Sequence, residues 1–343
     1  MSIIVAILIF GILVIFHEFG HFTAARKNGI TVNEFAIGMG PKLFGIRRGE
    51  TEYTLRLLPI GGACMMQGED SGEDTPGSFN SKSVWARIAV VFAGPFFNFI
   101  MAYICAAIII GMSGYTSAQV TKIVDGYPAA QSTLEPGDLI VKADKTSIHN
   151  FMDFRYHIML NQGRQTEITY KRDGKKYKTT ITPVKTDDGT YVIGIQGGVN
   201  IKPGPAGVLS QSFFEVKTNI DMVIKSLEML VTGQVGKDDI SGPVGMISAI
   251  GSSYSEAAKY GARTAFLTVL NLILLLSANL GVMNLLPIPA LDGGRLVFLI
   301  IEAIRRKPIP PEKEGMVHFA GFVLLMGFMV LVCFNDITRL LGV

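Results

Sequence analysis

The chain has 343 residues, of which 49% are hydrophobic and only 17% are charged. Soluble globular proteins carry about 25% charged residues, so this composition, with a mean hydropathy of +0.38, indicates a membrane protein. A formal net charge of +3 is too small to favour a nucleic-acid-binding protein. Three widely spaced cysteines exclude a disulfide framework and a thiolate metal cluster.

Four segments are long and apolar enough to cross a bilayer core of about 30 Å, which requires roughly 20 helical residues. They lie at residues 2–25, 87–113, 264–288 and 316–335. Basic residues concentrate between the first and second segments and between the third and fourth. The positive-inside rule therefore places both of these connections in the cytoplasm, and it places both termini and residues 114–263 outside.

The stretch between the first two spans predicts a β-hairpin at residues 31–65. Two β-rich runs, interrupted by glycine and proline, flank an Arg-Arg-Gly turn. Non-helical backbone at membrane depth is tolerated only where protein or a water-filled cavity shelters it. A re-entrant hairpin would therefore lie beside a polar cavity, and an ordinary cytoplasmic hairpin is the alternative that the pattern leaves open.

The stretch between the second and third spans predicts a small soluble α+β domain, because short alternating segments are separated by turn pairs such as Asp173-Gly174. Apolar residues then recur at helical spacing from Phe213 to Leu230, which predicts an amphipathic helix on this domain or on the membrane surface. A Gly-rich connector follows at residues 233–246. The predicted divisions are an N-terminal membrane core, the soluble domain, the helix with its connector, and a C-terminal membrane core, at residues 1–113, 114–200, 201–263 and 264–343.

The first apolar segment ends in FHEFGH, residues 16–21. On a helix, His17 and His21 lie one turn apart on one face and can direct ring nitrogens at one ion. H-E-x-x-H is the zincin arrangement, in which Glu18 takes a proton from metal-bound water and transfers it to the leaving amine. Ionisable residues at membrane depth cost a few kcal/mol on insertion scales, so three of them within five residues favour a functional zinc site.

A catalytic zinc usually takes three protein ligands and keeps one position open, so a third ligand is required. Asp292 is the candidate, because Pro287 and Pro289 interrupt the third span just before it and two glycines follow it. If the first and third spans run in the same direction, Asp292 and the histidines reach a similar depth. The alternative is that Asp292 is an ordinary turn residue at a helix end.

Several other residues are notable for their type or position, but they do not form a second site. Asn98 and Asn284 are amides at membrane depth, and each needs a partner from another helix or from an incoming substrate backbone. Gly94 and Pro95 indicate a kink and close helix packing. Three other histidines lack a partner at ligand spacing and are predicted not to bind metal: His149, His157 and His318. No function is assigned to the acidic loop formed by Glu69, Asp70, Glu73 and Asp74.

The motifs HEFGH, AIGMGPKLFG, LLPIGGACMM, AGPFFN and NLLPIPALDGGR occur in that order over nearly the whole chain. Together they resemble the site-2 protease family of intramembrane zinc metalloproteases, and most closely the bacterial regulator of sigma E protease branch. EPGDLI and the segment from DGYPAA to TITPV resemble the PDZ domain of that branch. The resemblance implies about four transmembrane α-helices, a re-entrant β-hairpin and an inserted extracytoplasmic PDZ-like α+β domain.

The resemblance also implies Zn²⁺ as the cofactor, His17, His21 and Asp292 as its ligands, Glu18 as the catalytic base and Asn284 as a contact to the substrate main chain. The hairpin would offer an edge strand to an unwound substrate helix by β-addition. The implied substrates are single-span proteins of the bacterial cytoplasmic membrane, such as anti-sigma factors or remnant signal peptides. An upstream site-1 type protease would shorten them first, and the zinc site would lie toward the cytoplasmic side.

Two features depart from the family pattern. The proteobacterial sigma E protease carries tandem PDZ domains, whereas residues 114–200 have room for one. Ala63 and Cys64 occupy hairpin positions where a bulky or β-branched pair is expected.

Two other classes of protein are alternatives to a protease. A transporter could also use buried His, Glu and Asp, but it does not need the H-E-x-x-H spacing. The intact Glu18 argues against a catalytically silent PDZ scaffold.

Overall fold

The computed structural model describes four stretches of the chain, residues 2–69, 75–187, 189–233 and 241–341. Most of the acidic loop, including Asp70, Glu73 and Asp74, lies outside the described residues, as does the central part of the predicted Gly-rich connector. The chain forms two compact units, and each is considered by itself: Met1–Cys105 with Leu227–Val343, and Ala106–Ser226.

The described residues contain eight α-helices. Their bounds are Ser2–Lys27 (α1), Val84–Ser113 (α2), Phe151–Leu160 (α3), Pro205–Val231 (α4), Pro243–Lys259 (α5), Ala262–Asn284 (α6), Asp292–Arg305 (α7) and Pro311–Leu341 (α8). Four of them, α1, α2, α6 and α8, are long and apolar enough to span a membrane, which confirms the four predicted segments. Helix α5 was not predicted, because its start lies within the stretch that was interpreted as a connector.

The described strands are short, except for the first two. Their bounds are Val32–Arg48 (β1), Thr51–Met66 (β2), Tyr115–Thr116 (β3), Val120–Ile123 (β4), Leu139–Ala143 (β5), Thr146–Ser147 (β6), Thr166–Arg172 (β7), Lys175–Ile181 (β8), Val184–Lys185 (β9), Tyr191–Val192 (β10), Ile195–Gly197 (β11) and Asn200–Ile201 (β12).

Strands β1 and β2 form the predicted hairpin, which is folded back on itself. The base pairs residues 32–37 with residues 62–66, and the tip pairs residues 42–48 with residues 51–56. Residues 34–37 also pair with the first residues of β2, so the tip lies alongside the base. A half-buried ion pair supports this arrangement, since Arg56 Nη2 lies 2.8 Å from Glu34 Oε1.

Helix α6 ends where proline prevents its continuation. Pro287 and Pro289 have no amide hydrogen for the helical ladder, and the backbone turns tightly through residues 285–291 before α7 begins at Asp292. Close packing in this turn explains the two glycines that follow it. A Cβ at Gly293 would overlap the Leu286 carbonyl oxygen, and one at Gly294 would lie 2.5 Å from the Ile288 carbonyl oxygen.

The last helix, α8, also holds the start of α5. The buried carboxylate of Asp336 accepts hydrogen bonds from the backbone N–H groups of Gly242 at 3.0 Å and Gly245 at 2.8 Å. A carboxylate is favourable there, because the first N–H groups of a helix lack intrahelical partners. Helix α5 in turn packs against α1 and α6.

The unit Ala106–Ser226 is built around a four-stranded sheet with the order β6-β5-β7-β8. Ile140, Ile168 and Tyr170 from this sheet are fully buried in its core. Helix α3 begins at a capping box formed by Asn150 and Asp153. Helix α4 contacts this end of α3, because Asn150 Nδ2 donates to Glu215 Oε2 at 3.1 Å and the His149 ring stacks on Phe214.

Candidate metal centre

Three side chains from two distant parts of the chain converge in the first unit. His17 and His21 lie one turn apart on α1, and their Nε2 atoms are 3.2 Å apart. Asp292, the first residue of α7, places Oδ2 at 3.2 Å from His17 Nε2 and 3.4 Å from His21 Nε2. Among the described residues, these three side chains form a group of His, Cys, Asp or Glu close enough to share a metal ion.

The three atoms are arranged as one face of a tetrahedron. Tetrahedral zinc binds imidazole nitrogen and carboxylate oxygen at about 2.0–2.2 Å, which separates neighbouring ligand atoms by about 3.3–3.6 Å. The observed separations of 3.2–3.4 Å agree with this spacing within a few tenths of an ångström. Asp292 Oδ2 is also buried with no hydrogen-bond partner in the described structure. Since a buried carboxylate oxygen requires compensation, these residues fit a divalent cation.

The other nitrogen of each imidazole faces α2. His21 Nδ1 lies 2.9 Å from the Val90 carbonyl oxygen, and His17 Nδ1 lies 3.0 Å from the Asn98 side-chain amide. A carbonyl oxygen can only accept, so His21 carries its hydrogen on Nδ1 and leaves Nε2 free to bind a metal. Partners of this kind orient metal-binding histidines and set their tautomer.

Asn98 is fully buried, and its Oδ1 has no partner in the described part of the chain. The oxygen and nitrogen of an amide exchange places when the group rotates by 180°. In that orientation Oδ1 accepts the His17 Nδ1 hydrogen, and His17 acquires the same tautomer as His21. The sequence identified Asn98 as an amide in need of a partner but not His17 as that partner.

Glycines permit the close contact between α1 and α2. A Cβ at Gly94 would overlap the His21 ring and lie 2.8 Å from His17 Cε1, and one at Gly20 would overlap the Ala93 carbonyl oxygen. Gly94 and Asn98 are four residues apart and therefore share one face of α2. The AGPFFN motif thus lies against the histidine pair, a role that goes beyond the predicted kink and helix packing.

Glu18 lies next to the histidine pair, where α1 meets the hairpin. A Cβ at Gly62 would lie 3.2 Å from Glu18 Cγ and 3.1 Å from Val14 Cγ1, so β2 reaches the helix through a residue without a side chain. Cys64, two positions later, is buried against Phe35 in the first unit. Small residues here bring the strand close to Glu18, where a bulky residue at Gly62 would hold it away.

The other residues singled out from the sequence lie elsewhere. Asn284 is the last residue of α6 and is half-buried. His157 Nε2 lies 2.8 Å from Asp144 Oδ2 in the second unit. His318 Nδ1 accepts a hydrogen bond from the backbone N–H of Ala290 at 2.9 Å, two residues before Asp292. Glu69 forms an ion pair with Arg295, which connects the end of the hairpin to the first turn of α7.

Comparison with known proteins covers nearly the whole chain. The sequence profile of Peptidase family M50 matches residues 5–328. A Clostridium acetobutylicum protein named as a zinc metalloprotease is 40% identical over 338 residues, 98% of this chain and 97% of the relative. Zinc metalloprotease RasP of Bacillus licheniformis is 34% identical over 423 aligned residues, and the regulator of sigma-W protease RasP of Bacillus subtilis is 33% identical over 426, each covering 99% of both chains.

Two solved structures are similar to part of the chain. They are the PDZ domains of SdrC-like proteins from Listeria monocytogenes and Listeria innocua, which are 29% and 27% identical. They cover 24% and 25% of this chain and 88% and 99% of their own, with TM-scores of 0.22 and 0.23.

Proposed function

This chain belongs to peptidase family M50 and is a multi-pass membrane zinc metalloprotease, and we propose that it hydrolyses peptide bonds within the transmembrane segments of single-span membrane proteins. The observation that carries the proposal is the convergence of two imidazoles and a carboxylate, 3.2–3.4 Å apart, on helices of a membrane core. Ionisable groups are rare in such helices and usually mark function.

In this proposal His17, His21 and Asp292 are the zinc ligands. When bound, zinc supplies Lewis acidity, which lowers the pKa of coordinated water to about 7 and polarises the scissile carbonyl. Val90 and Asn98 hold the two rings so that each Nε2 faces the metal position. Glu18 accepts a proton from the attacking water at its carboxylate and donates it to the nitrogen of the leaving amine.

We propose that the hairpin at residues 31–65 is re-entrant and presents the substrate. Residues 62–66 pair with residues 32–37 along one edge, and Gly62 lies beside Glu18. A substrate segment added to the other edge as a β-strand would pass close to the catalytic carboxylate. Asn284 would bind its main chain. The tip and the two residues that follow it expose a set of apolar side chains suited to lipid: Leu43, Phe44, Ile46, Leu55, Leu57 and Leu58.

We propose that residues 114–200 form a PDZ-like domain outside the cytoplasm and that the zinc site lies toward the cytoplasmic side of the bacterial membrane. The distribution of basic residues between the apolar helices supports this orientation. The Bacillus subtilis relative is named regulator of sigma-W protease RasP. By analogy, the substrates here would be anti-sigma factors shortened by an upstream site-1 type protease, or remnant signal peptides.

The test compares the wild-type chain with Glu18→Gln in detergent. Zinc content and cleavage of a single-span model substrate are measured in both, because the amide keeps the shape of the side chain but cannot take up the proton. The expected result is equal zinc in both proteins and a 10²–10⁴-fold loss of cleavage in the variant, the range for general acid–base catalysis.

A matched control is Glu256→Gln, which changes an exposed carboxylate on α5 and should leave cleavage unchanged. Cleavage that survives in Glu18→Gln, or wild-type activity without bound metal, would contradict the mechanism.

A further inference from the structure

The turn that carries Asp292 contains an unusual backbone conformation. Ala290 has φ of 74°, the left-handed region that side-chain-bearing residues adopt rarely. Such a conformation persists only where the surroundings enforce it. The N–H group of Ala290 donates to His318 Nδ1 at 2.9 Å, so a side chain of α8 holds the turn two residues before Asp292.

Helix α8 approaches this turn along one narrow face. A Cβ at Gly321, three residues after His318, would overlap the Pro289 ring and lie 2.8 Å from the Pro289 carbonyl oxygen. The His318 ring also lies 5.5 Å from the Phe298 ring of α7. In the first half of α8 the half-buried residues share this face while their neighbours are exposed: Glu314, His318, Gly321 and Leu325.

The hydrogen bond specifies the tautomer of His318. Since Nδ1 accepts from the Ala290 N–H, the ring hydrogen is on Nε2. Nε2 has no hydrogen-bond partner in the described structure, and it lies 3.8 Å from Glu314 Oε1, one turn earlier on α8. The negative carboxylate favours a hydrogen on the nitrogen that faces it.

We propose that His318 is a positioning residue for the metal centre: through the Ala290 N–H it holds the turn that places Asp292 Oδ2 opposite the two imidazoles. Helix α8 then fixes the position of Asp292 in addition to spanning the membrane. This inference rests on the proposed role of Asp292 as a zinc ligand. His318 does not touch the metal position and acts only through the backbone of the turn.

The experiment uses the full chain in detergent with His318→Asn, His318→Leu and the control Phe322→Leu, an exposed position on the same helix. Asparagine places an acceptor oxygen near the position of Nδ1, whereas leucine has no acceptor. Zinc affinity is measured by competition with a chelator, the Co²⁺-substituted protein is examined by visible absorption, and hydrogen exchange is followed at the Ala290 amide.

We expect His318→Leu to lose about 10–100-fold in zinc affinity, the range for groups that orient metal ligands, with an altered Co²⁺ spectrum and faster exchange at Ala290. His318→Asn and Phe322→Leu should stay within about threefold of the wild type in affinity. Rescue by asparagine separates the hydrogen bond from ring packing.

Two results overturn the inference. In the first, His318→Leu matches the wild type in zinc affinity and Ala290 exchange; in the second, leucine and asparagine are equally impaired. A wild-type chain that binds no zinc would instead remove the proposed function, and the positioning role with it. Exchange at Ala290 would still show whether the hydrogen bond exists, so the two failures are distinguishable.

Discussion

Two carboxylates, one in each unit of the molecule, face opposite kinds of partner. Asp153 Oδ2 accepts from the backbone N–H groups of His149 and Asn150, at 2.8 and 3.3 Å, and its Oδ1 accepts from the Thr218 hydroxyl. Asp292 Oδ2 faces the Nε2 atoms of two imidazoles and has no hydrogen-bond partner in the described structure.

The difference is the one expected between a structural carboxylate and the metal ligand that we propose Asp292 to be. Hydrogen-bond donors compensate the charge of Asp153 locally, so it caps α3 and needs no cation. At Asp292 the neighbouring Nε2 atoms present lone pairs, because His21 carries its hydrogen on Nδ1 and His17 does the same when Asn98 Oδ1 faces its ring. Three converging lone pairs repel one another unless a cation lies between them.

The largest effect that separates the two carboxylates is on zinc binding. Asp292→Asn should reduce zinc affinity more than about 100-fold, since it removes a ligand and exceeds the effect of changing an orienting group. Asp153→Asn should leave zinc affinity unchanged. Chelator competition on both purified variants measures this, and equal affinities would mean that Asp292 is not a ligand.

Gly94→Ala tests the fit of α2 against the histidines. The added methyl group would overlap the His21 ring, so the pair must move, and we expect a loss of zinc affinity of up to about 100-fold. Gly111→Ala is the matched control, because Gly111 lies on the same helix and a Cβ there would have no other atom within 4 Å. If both variants bind zinc like the wild type, the histidine pair tolerates displacement and the packing argument fails.

A smaller loss is expected when the Asn98 amide is replaced. Asn98→Leu removes the acceptor for His17 Nδ1 and should weaken zinc binding about 10-fold. Asn98→Asp keeps an acceptor oxygen at that position and should bind zinc better than the leucine variant. Chelator competition and the Co²⁺ spectrum report the difference, and a leucine variant that is indistinguishable from the wild type would show that Asn98 does not orient the ring.

The smallest effect concerns stability in the second unit and depends on pH. Burial, with a contribution from the Asp153 carboxylate, raises the pKa of Glu215 from 4.5 to about 7. The folded unit disfavours the ionised form, so the contribution of Glu215 to its stability is most favourable below about pH 4.5 and declines as the pH rises toward about 7. Glu215→Gln should therefore stabilise the contact between α3 and α4 at pH 8, by on the order of 2 kcal/mol.

The measurement for Glu215→Gln is amide hydrogen exchange in α4, compared with the wild type at the same pH so that intrinsic rates cancel. Slower exchange in the variant is expected at pH 8 and little difference at pH 5. The opposite order would mean that Glu215 is stabilised as a carboxylate. A change in zinc content would mean that the carboxylates of the second unit, Asp153 and Glu215, influence the metal centre in the first.

The sequence predicted the features that depend on local spacing. The apolar segments became α1, α2, α6 and α8, with ends that differ from the prediction by a few residues. His17 and His21 were predicted on one helix face because four residues make one turn. Asp292 required one further step, from the prolines that stop α6 to a turn at the depth of the histidines.

Other features could not be predicted, because they depend on which distant segments pack together. The hairpin signal was clear, but its folding back depends on the pairing of residues 34–37 with two parts of β2. Helix α5 was missed because the glycine and proline at its start resemble a connector, whereas the Asp336 carboxylate satisfies the N–H groups at that end.

The sequence alone therefore determined the membrane class, the long helices and the chemical types of the candidate ligands, since helical periodicity and side-chain chemistry are properties of short segments. Only the tertiary structure decided that Asn98 faces His17, that Gly94 makes room for both rings and that His318 holds the turn before Asp292. The physical reason is that these contacts join helices far apart in the chain, and their partners are selected by packing.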